Sequence, residues 1–238
     1  MVQVASISQR IWDMKYRLKH ADGHPVDKNI EDTWARLSKA LSEPENENEA
    51  WQQKFYNALE DFKFLPAGRI VSGAGAEREV TLFNCFVMGA VPDDMAGIFE
   101  SLKEAALTMQ QGGGIGYDFS TLRPKGALVN GVGADASGPL SFMDVWDAMC
   151  RTIMSAGSRR GAMMAVMRCD HPDIEDFIEA KREAGRLRMF NLSVLASDDF
   201  MRAVKEDTPW ELTYNSTTYK SLPARDLWDK IMRATYAY

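Results

Sequence analysis

From Phe64 onward, short apolar runs alternate with amphipathic helical segments, the pattern of parallel strands joined by crossover helices. The runs are Leu82 to Val87, Ile115 to Phe119, Ala162 to Met167 and Met189 to Leu195. Between the first two, Asp93 and Asp94 stand at N-cap positions, and Ile98, Leu102, Ala105 and Met109 share one helical face that stops at Gly112. A glycine-rich stretch, Gly126 to Gly138, leads through Pro139 into a helix whose apolar stripe reads Phe142, Val145, Trp146, Met149, Ile153 and Met154. After the third run a helix is expected with Pro172 in its first turn and Gly185 past its end, and Ser197 caps the next one. Trp210 to Tyr214 reads as a short surface strand or hairpin, and Ala224 to Tyr236 as a last amphipathic helix carrying Leu227 and Ile231.

Before Phe64 the grammar is helical. Ile30, Trp34, Leu37 and Leu41 share one face, and Trp51, Phe55, Leu59 and Phe62 share another. The polar stretch Ser42 to Glu49 is a solvated connection between them. The expected organisation is a helical region over 1–63 and an α/β region over 64–238.

Composition limits the function. In 238 residues with 45% hydrophobic content there is enough apolar material for a sizeable core, and the fourteen methionines fall mostly in amphipathic stretches where they fill core gaps. A net charge of -6 argues against a sequence-independent grip on nucleic acid, which needs concentrated Lys and Arg. The three cysteines, Cys85, Cys150 and Cys169, form no Cys-x-x-Cys pair, and no secretory leader precedes them, so a reducing cytoplasm is expected. No apolar window approaches the roughly 20 residues of a membrane span. His20, His24 and His171 are dispersed without ligand spacing, so no metal site is expected, and His171 before Pro172 reads as a helix-entry residue.

The cluster Gly112-Gly113-Gly114 is not a dinucleotide fingerprint, because a helix runs into it and a strand leaves it, the reverse of the required order. No P-loop is present. Adjacent glycines do let a ligand or a neighbouring strand lie close to the main chain. Cys150 falls on an apolar helical stripe and reads as a small buried hydrophobe. Cys85 lies in an alternating strand beside Asn84; taken alone, a strand cysteine is more often structural than redox-active. By the same standard Asp93 and Asp94 are helix caps, and Arg159 and Arg160 belong to a solvated Gly/Ser loop.

Three blocks in order change that reading: Pro66-Ala67-Gly68-Arg69-Ile70-Val71-Ser72-Gly73, then Thr81-Leu82-Phe83-Asn84-Cys85-Phe86-Val87, then Gln110 to Ala127 with its glycine cluster. Together they resemble the first half of the catalytic barrel of a ribonucleotide reductase large chain, of the adenosylcobalamin-dependent type. The resemblance implies an α/β fold: a helical amino-terminal region followed by the first half of a ten-stranded α/β barrel, of which this segment supplies about four strands. It makes Cys85 a thiol that delivers reducing equivalents to the 2′ position of a ribonucleotide and becomes half of a disulfide. It places Gly68, Ser72, Asn84, Gly113 and Gly114 at the substrate. Asp93, Asp94 and Arg123 fall at the sugar and phosphates of a deoxynucleoside triphosphate effector, and the loop bearing Arg159 and Arg160 relays effector identity to the substrate base.

The family's thiyl cysteine lies in an Asn-Pro-Cys-Gly-Glu motif, and no Asn-Pro dipeptide occurs here. The chain therefore reads as an amino-terminal portion, inactive alone. It is expected to pair with the missing carboxyl-terminal half of the barrel, to form a homodimer, and to depend on adenosylcobalamin bound mainly by the missing segments. Two alternatives stand: a non-catalytic nucleotide-binding regulatory chain, and a fragment of a tyrosyl-radical-dependent reductase large subunit.

Overall fold

The computed structural model describes residues 4–77, 80–129, 133–153 and 161–237. They gather into two compact units, one built on Met1–Asn84 with Gln111–Gly113, the other on Cys85–Gln110 and the chain from Gly114 onward.

The first unit is helical. It contains α1 (Ser6–Lys15), α2 (Ile30–Ser42), α3 (Asn48–Leu59), a 3₁₀ turn at Glu60–Phe62 and α4 (Gly68–Gly73). Asn29 starts α2 by accepting the Asp32 N–H at 2.9 Å, which satisfies one of the helix's open donors. Trp34 and Leu37 of α2 then close a small core with Leu59 of α3 and Ala74. Beneath it lies a buried ionic brace. The Asp27 carboxylate accepts from Arg36 Nη2 and from the Thr33 hydroxyl, both at 2.8 Å, and from the Leu18 N–H at 3.2 Å. Thr33 in turn accepts from Trp12 Nε1 at 3.1 Å. Arg36 also donates to the carbonyls of Val71, at 3.1 Å, and Ala74, so one side chain holds the far end of α4 to α2. Burial alone would raise the Asp27 pKa, but the bonds from Arg36 and Thr33 outweigh it and leave the carboxyl below its ordinary value.

The second unit runs β1 (Cys85–Val87), α5 (Met95–Gln110), β2 (Gly114–Asp118), the ribbon β3 (Leu128–Val129) and β4 (Ala134–Asp135), α6 (Pro139–Thr152), β5 (Met163–Arg168), α7 (Ile174–Glu179), β6 (Phe190–Leu195), α8 (Asp198–Glu206), β7 (Pro209–Tyr214), β8 (Thr217–Pro223) and α9 (Ala224–Ala237). Its centre is a sheet in the order β1-β2-β5-β6, every pair parallel, as the alternation of runs and helices requires. β7 and β8 form a separate antiparallel hairpin. On one sheet face Ile115, Tyr117, Met163, Ala165, Met167 and Phe190 are buried with Ile98, Ala105 and Met109 of α5 and Met143 and Trp146 of α6. The opposite face is open: Cys85, Val87, Met164, Arg168, Asn191 and Leu195 are exposed there.

Three expected elements differ in extent. The strand expected from Leu82 begins only at Cys85, because the backbone before it turns: the Phe83 N–H bonds to Thr81 Oγ1 and the Thr81 N–H to the Gln111 carbonyl. The helix after Pro172 stops at Glu179; beyond it the Arg182 N–H to Glu179 and Arg186 N–H to Glu183 bonds close four-residue turns rather than α-helical ones, and Gly185 has φ +98°. The buried stripe of α6 is Met143, Trp146, Asp147 and Cys150, while Val145 is 37% exposed. An acidic side chain sits in that stripe because Asp147 Oδ1 accepts the Met189 N–H at 2.9 Å. Met154, also expected there, lies outside the described residues.

Candidate active and effector sites

The parallel ladder aligns Cys85 with Gly114 and Val87 with Gly116. Residues paired in register share a face, so the exposed Cys85 thiol looks out beside Gly114, where the neighbouring strand presents only glycine hydrogens. The other two cysteines are different. Cys150 is buried in the core, where desolvation followed by the nearby Asp147 charge pushes its thiol up to about 11. Cys169 is buried as well, and desolvation raises its pKa. A thiolate is the reactive form, so burial makes these two poor redox groups.

Four of the residues expected at the substrate belong to the helical unit: Gly68, Ser72, Asn84 and Gly113. Gly68 opens α4, and the Ser72 hydroxyl bonds back to the Arg69 carbonyl at 3.4 Å. The Arg69 N–H donates to Asn84 Oδ1 at 3.3 Å, joining α4 to the residue that precedes the exposed cysteine. Gly112 has φ +91°, the left-handed region that favours glycine, and the mobile end of the Arg69 side chain lies against it, with Nη1 2.8 Å from where a Cβ would stand. Sequence reasoning passed over Arg69 as a side chain with a role, although it stands between Gly68 and Ser72. Gly114, the fifth, is the first residue of β2 and pairs with Cys85.

The effector candidates come together in the α/β unit. Asp94 Oδ1 accepts the Gly97 N–H at 2.9 Å and caps α5. Asp93 does not cap the helix; it is bound to Arg123. Its Oδ1 accepts the Arg123 N–H at 3.1 Å, its Oδ2 accepts Arg123 Nε at 2.8 Å, and its carbonyl accepts Nη2 at 3.0 Å. A third partner, invisible in the sequence, is the Tyr214 hydroxyl, which donates to Asp93 Oδ2 at 3.2 Å or to the Thr121 carbonyl at 2.9 Å. Burial and then Asp93 push the Tyr214 phenol up to about 12, so it stays protonated and serves as a donor. A carboxylate accepts about four hydrogen bonds, and Asp93 uses at most three side-chain positions here, which leaves room for one hydroxyl. Arg159 and Arg160 lie outside the described residues.

His171 is more than a helix-entry residue. It is 2% exposed, its Nδ1 accepts the Asp173 N–H at 3.0 Å, and its Nε2 therefore carries the proton and donates to the Leu122 carbonyl at 2.9 Å. Burial drives its pKa below the usual histidine value, against the partial opposition of the Leu122 bond. Among the described residues no group of three or more His, Cys, Asp or Glu side chains is placed to hold a metal ion, and no helix is long and apolar enough to cross a membrane.

The family described as ribonucleotide reductase, all-alpha domain matches residues 4–79, and that described as ribonucleotide reductase, barrel domain matches residues 83–238. The chain is similar to the vitamin B12-dependent ribonucleoside-diphosphate reductase of Mycobacterium tuberculosis (strain CDC 1551 / Oshkosh), 36% identical over 232 residues, 94% of this chain and 33% of the relative. The protein of the same description from Thermoplasma acidophilum is 37% identical over 182 residues, 75% of this chain and 23% of the relative. The ribonucleoside-diphosphate reductase subunit alpha of Helicobacter pylori (strain J99) is 30% identical over 202 residues, 83% of this chain and 25% of the relative. The chain thus spans a third or less of these relatives' length. With a helical region matching one domain of the family and a parallel α/β region matching the other, the chain belongs to the ribonucleotide reductase large-subunit family.

Proposed function

We propose that this chain is the amino-terminal part of a vitamin B12-dependent ribonucleotide reductase, and that Cys85 supplies reducing equivalents to the 2′ position of a ribonucleotide. The observation that carries this reading is the exposed Cys85 thiol on the open sheet face, beside Gly114, with Cys150 and Cys169 buried. Gly68, Ser72, Asn84, Gly113 and Gly114 line the substrate. In the reduction the 2′ C–O bond breaks and its oxygen leaves as water; Cys85 and a second thiol lose two protons and two electrons as a disulfide forms between them. The second thiol and the thiyl cysteine that removes and returns the 3′ hydrogen come from the part of the relatives that this chain does not span.

The open face also supports a missing partner. All-parallel sheets are covered on both faces, yet Val87, Met164 and Leu195 are 98%, 40% and 43% exposed here. The remaining strands of the barrel cover them. Asp93 receives the sugar of a deoxynucleoside triphosphate and Arg123 its phosphates, with Asp94 fixing the start of α5, in a homodimer working in the cytoplasm.

Vitamin B12 belongs to the printed descriptions of two of the relatives named above. Bound as adenosylcobalamin, it supplies the radical that starts the reaction. The open face does not fit the group as a site by itself: Cys85, Asn191 and Arg168 are spread along separate strands, and among the described residues no three His, Cys, Asp or Glu side chains converge to hold a metal. Its binding is therefore assigned to the rest of the polypeptide.

In the complete reductase, Cys85→Ser is expected to abolish multiple turnover of ribonucleotides with a dithiol reductant, while Cys150→Ala retains turnover. Steady turnover by the Cys85→Ser enzyme would refute the role of this thiol. It would also favour the reading of this segment as a nucleotide-binding regulatory chain.

A further inference from the structure

The segment Thr121 to Lys125 carries Arg123, and four side chains from outside it hold its backbone. Tyr214, at the tip of the β7–β8 hairpin, reaches the Thr121 carbonyl at 2.9 Å. His171 donates to the Leu122 carbonyl at 2.9 Å. Asp93 accepts the Arg123 N–H at 3.1 Å, and Asp173 Oδ2 accepts the Lys125 N–H at 2.9 Å. The remaining residue, Pro124, has no N–H to give, and its carbonyl accepts the Ala127 N–H at 3.1 Å.

The holders are themselves linked. Asp173 donates its own N–H to His171, and the rings of His171 and Tyr214 meet edge-on with centroids 6.0 Å apart. Gly138 makes room for the last contact. A Cβ there would lie 2.9 Å from both Asp173 Oδ2 and the Lys125 nitrogen, and its φ is +78°. The Tyr214 oxygen also lies 3.2 Å from Asp93 Oδ2, so its single proton can go to either the segment or the carboxylate opposite it.

We propose that Tyr214 and His171 are positioning residues of the effector site, clamping Thr121–Lys125 so that the Arg123 guanidinium and the Asp93 carboxylate meet a deoxynucleoside triphosphate in fixed geometry. The proposal rests on the reading of Asp93 and Arg123 as the effector site. The hairpin thereby becomes a wall of that site, although neither positioning side chain touches the ligand. An anion-binding arginine on a loose loop loses affinity to the cost of ordering that loop on binding, and the clamp removes that cost beforehand.

The test is calorimetric titration of the complete reductase with deoxynucleoside triphosphates, with melting temperatures of the ligand-free proteins measured alongside. Tyr214→Phe deletes only the bridging hydroxyl. His171→Asn keeps an acceptor for the Asp173 N–H but cannot reach Leu122, whereas His171→Gln keeps a donor at the Nε2 position. The expected result is a loss of roughly five- to tenfold in affinity for Tyr214→Phe and His171→Asn, the scale of one hydrogen bond. His171→Gln should restore most of the affinity, even where its melting temperature falls as far as that of His171→Asn. A purely structural role would instead make affinity follow melting temperature across the set, and that result would overturn the proposal. Wild-type affinity in Tyr214→Phe would overturn it too, and this variant decides alone should His171→Asn not fold. If the wild type binds no deoxynucleotide, the effector reading itself falls and takes the clamp with it; binding by the wild type with unaltered variants sinks the clamp only.

Discussion

Trp146 shows how a core built for packing treats a polar atom. The side chain is fully buried and meets the rings of Tyr117 and Phe119 edge-on, with centroids 5.9 and 5.7 Å away, yet its Nε1–H has no hydrogen-bond partner among the described residues. An unpaired buried donor costs about 1–3 kcal/mol, while the indole's apolar area returns more than that. Trp146→Phe removes the orphan donor and some volume together, so its unfolding free energy should stay within about 1 kcal/mol of wild type. Trp146→Ala should cost about 3–5 kcal/mol. Denaturant melts of the two variants check this; equal losses would mean that the indole nitrogen has a partner that stabilises it. Residue-scale roles were unevenly legible. Cys150 could be read as core from its helical stripe, and Ser197 as a cap, since the Phe200 N–H does bond its hydroxyl at 3.1 Å. Tyr214 could not, because its partner Asp93 lies 121 residues away and no periodicity encodes such a contact.

At the scale of elements, the helical unit depends on the brace through which Asp27 and Arg36 join α2 to α4. Breaking a buried pair by removing one charge costs about 3–5 kcal/mol, since the other is left without its partner. Arg36→Ala and Asp27→Asn should both lower the stability of this unit by that order, reported by the fluorescence of Trp12 and Trp34. The pH dependence has a definite sign. The folded pKa of Asp27 lies below its unfolded value, so its contribution is complete above about pH 4 and is lost as pH falls through the folded pKa. Acidification should therefore destabilise the wild type more than Asp27→Asn. A loss below about 1 kcal/mol in both variants would show that the brace does not hold α4. The amphipathic pattern revealed α2 and α5, whose buried positions Trp34, Leu37, Ile98, Ala105 and Met109 fall where the period puts them. It misplaced the stripe of α6, because Asp147 is polar by composition and buried by its bond to the Met189 N–H. It also overran α7, since nothing local marks the change from α-helical to four-residue turns after Glu179.

For the whole molecule, the sheet order β1-β2-β5-β6 puts one face against helices and leaves the other to be covered. The alternation of runs and crossovers made the parallel sheet legible from Phe64 onward. It could not show which face stays open, because strands of such sheets are apolar on both sides: Met163 is buried while its neighbour Met164 is 40% exposed. The open face is also what distinguishes Cys85 from the other two cysteines. The most direct measurement is peptide mapping of the complete reductase after a single turnover without external reductant, with free thiols blocked before digestion. Cys85 should be recovered in a disulfide with a cysteine from beyond this segment, and Cys150 and Cys169 as blocked thiols. Recovery of Cys85 as a free thiol after one deoxynucleotide has formed per active site would rule it out as a reducing thiol.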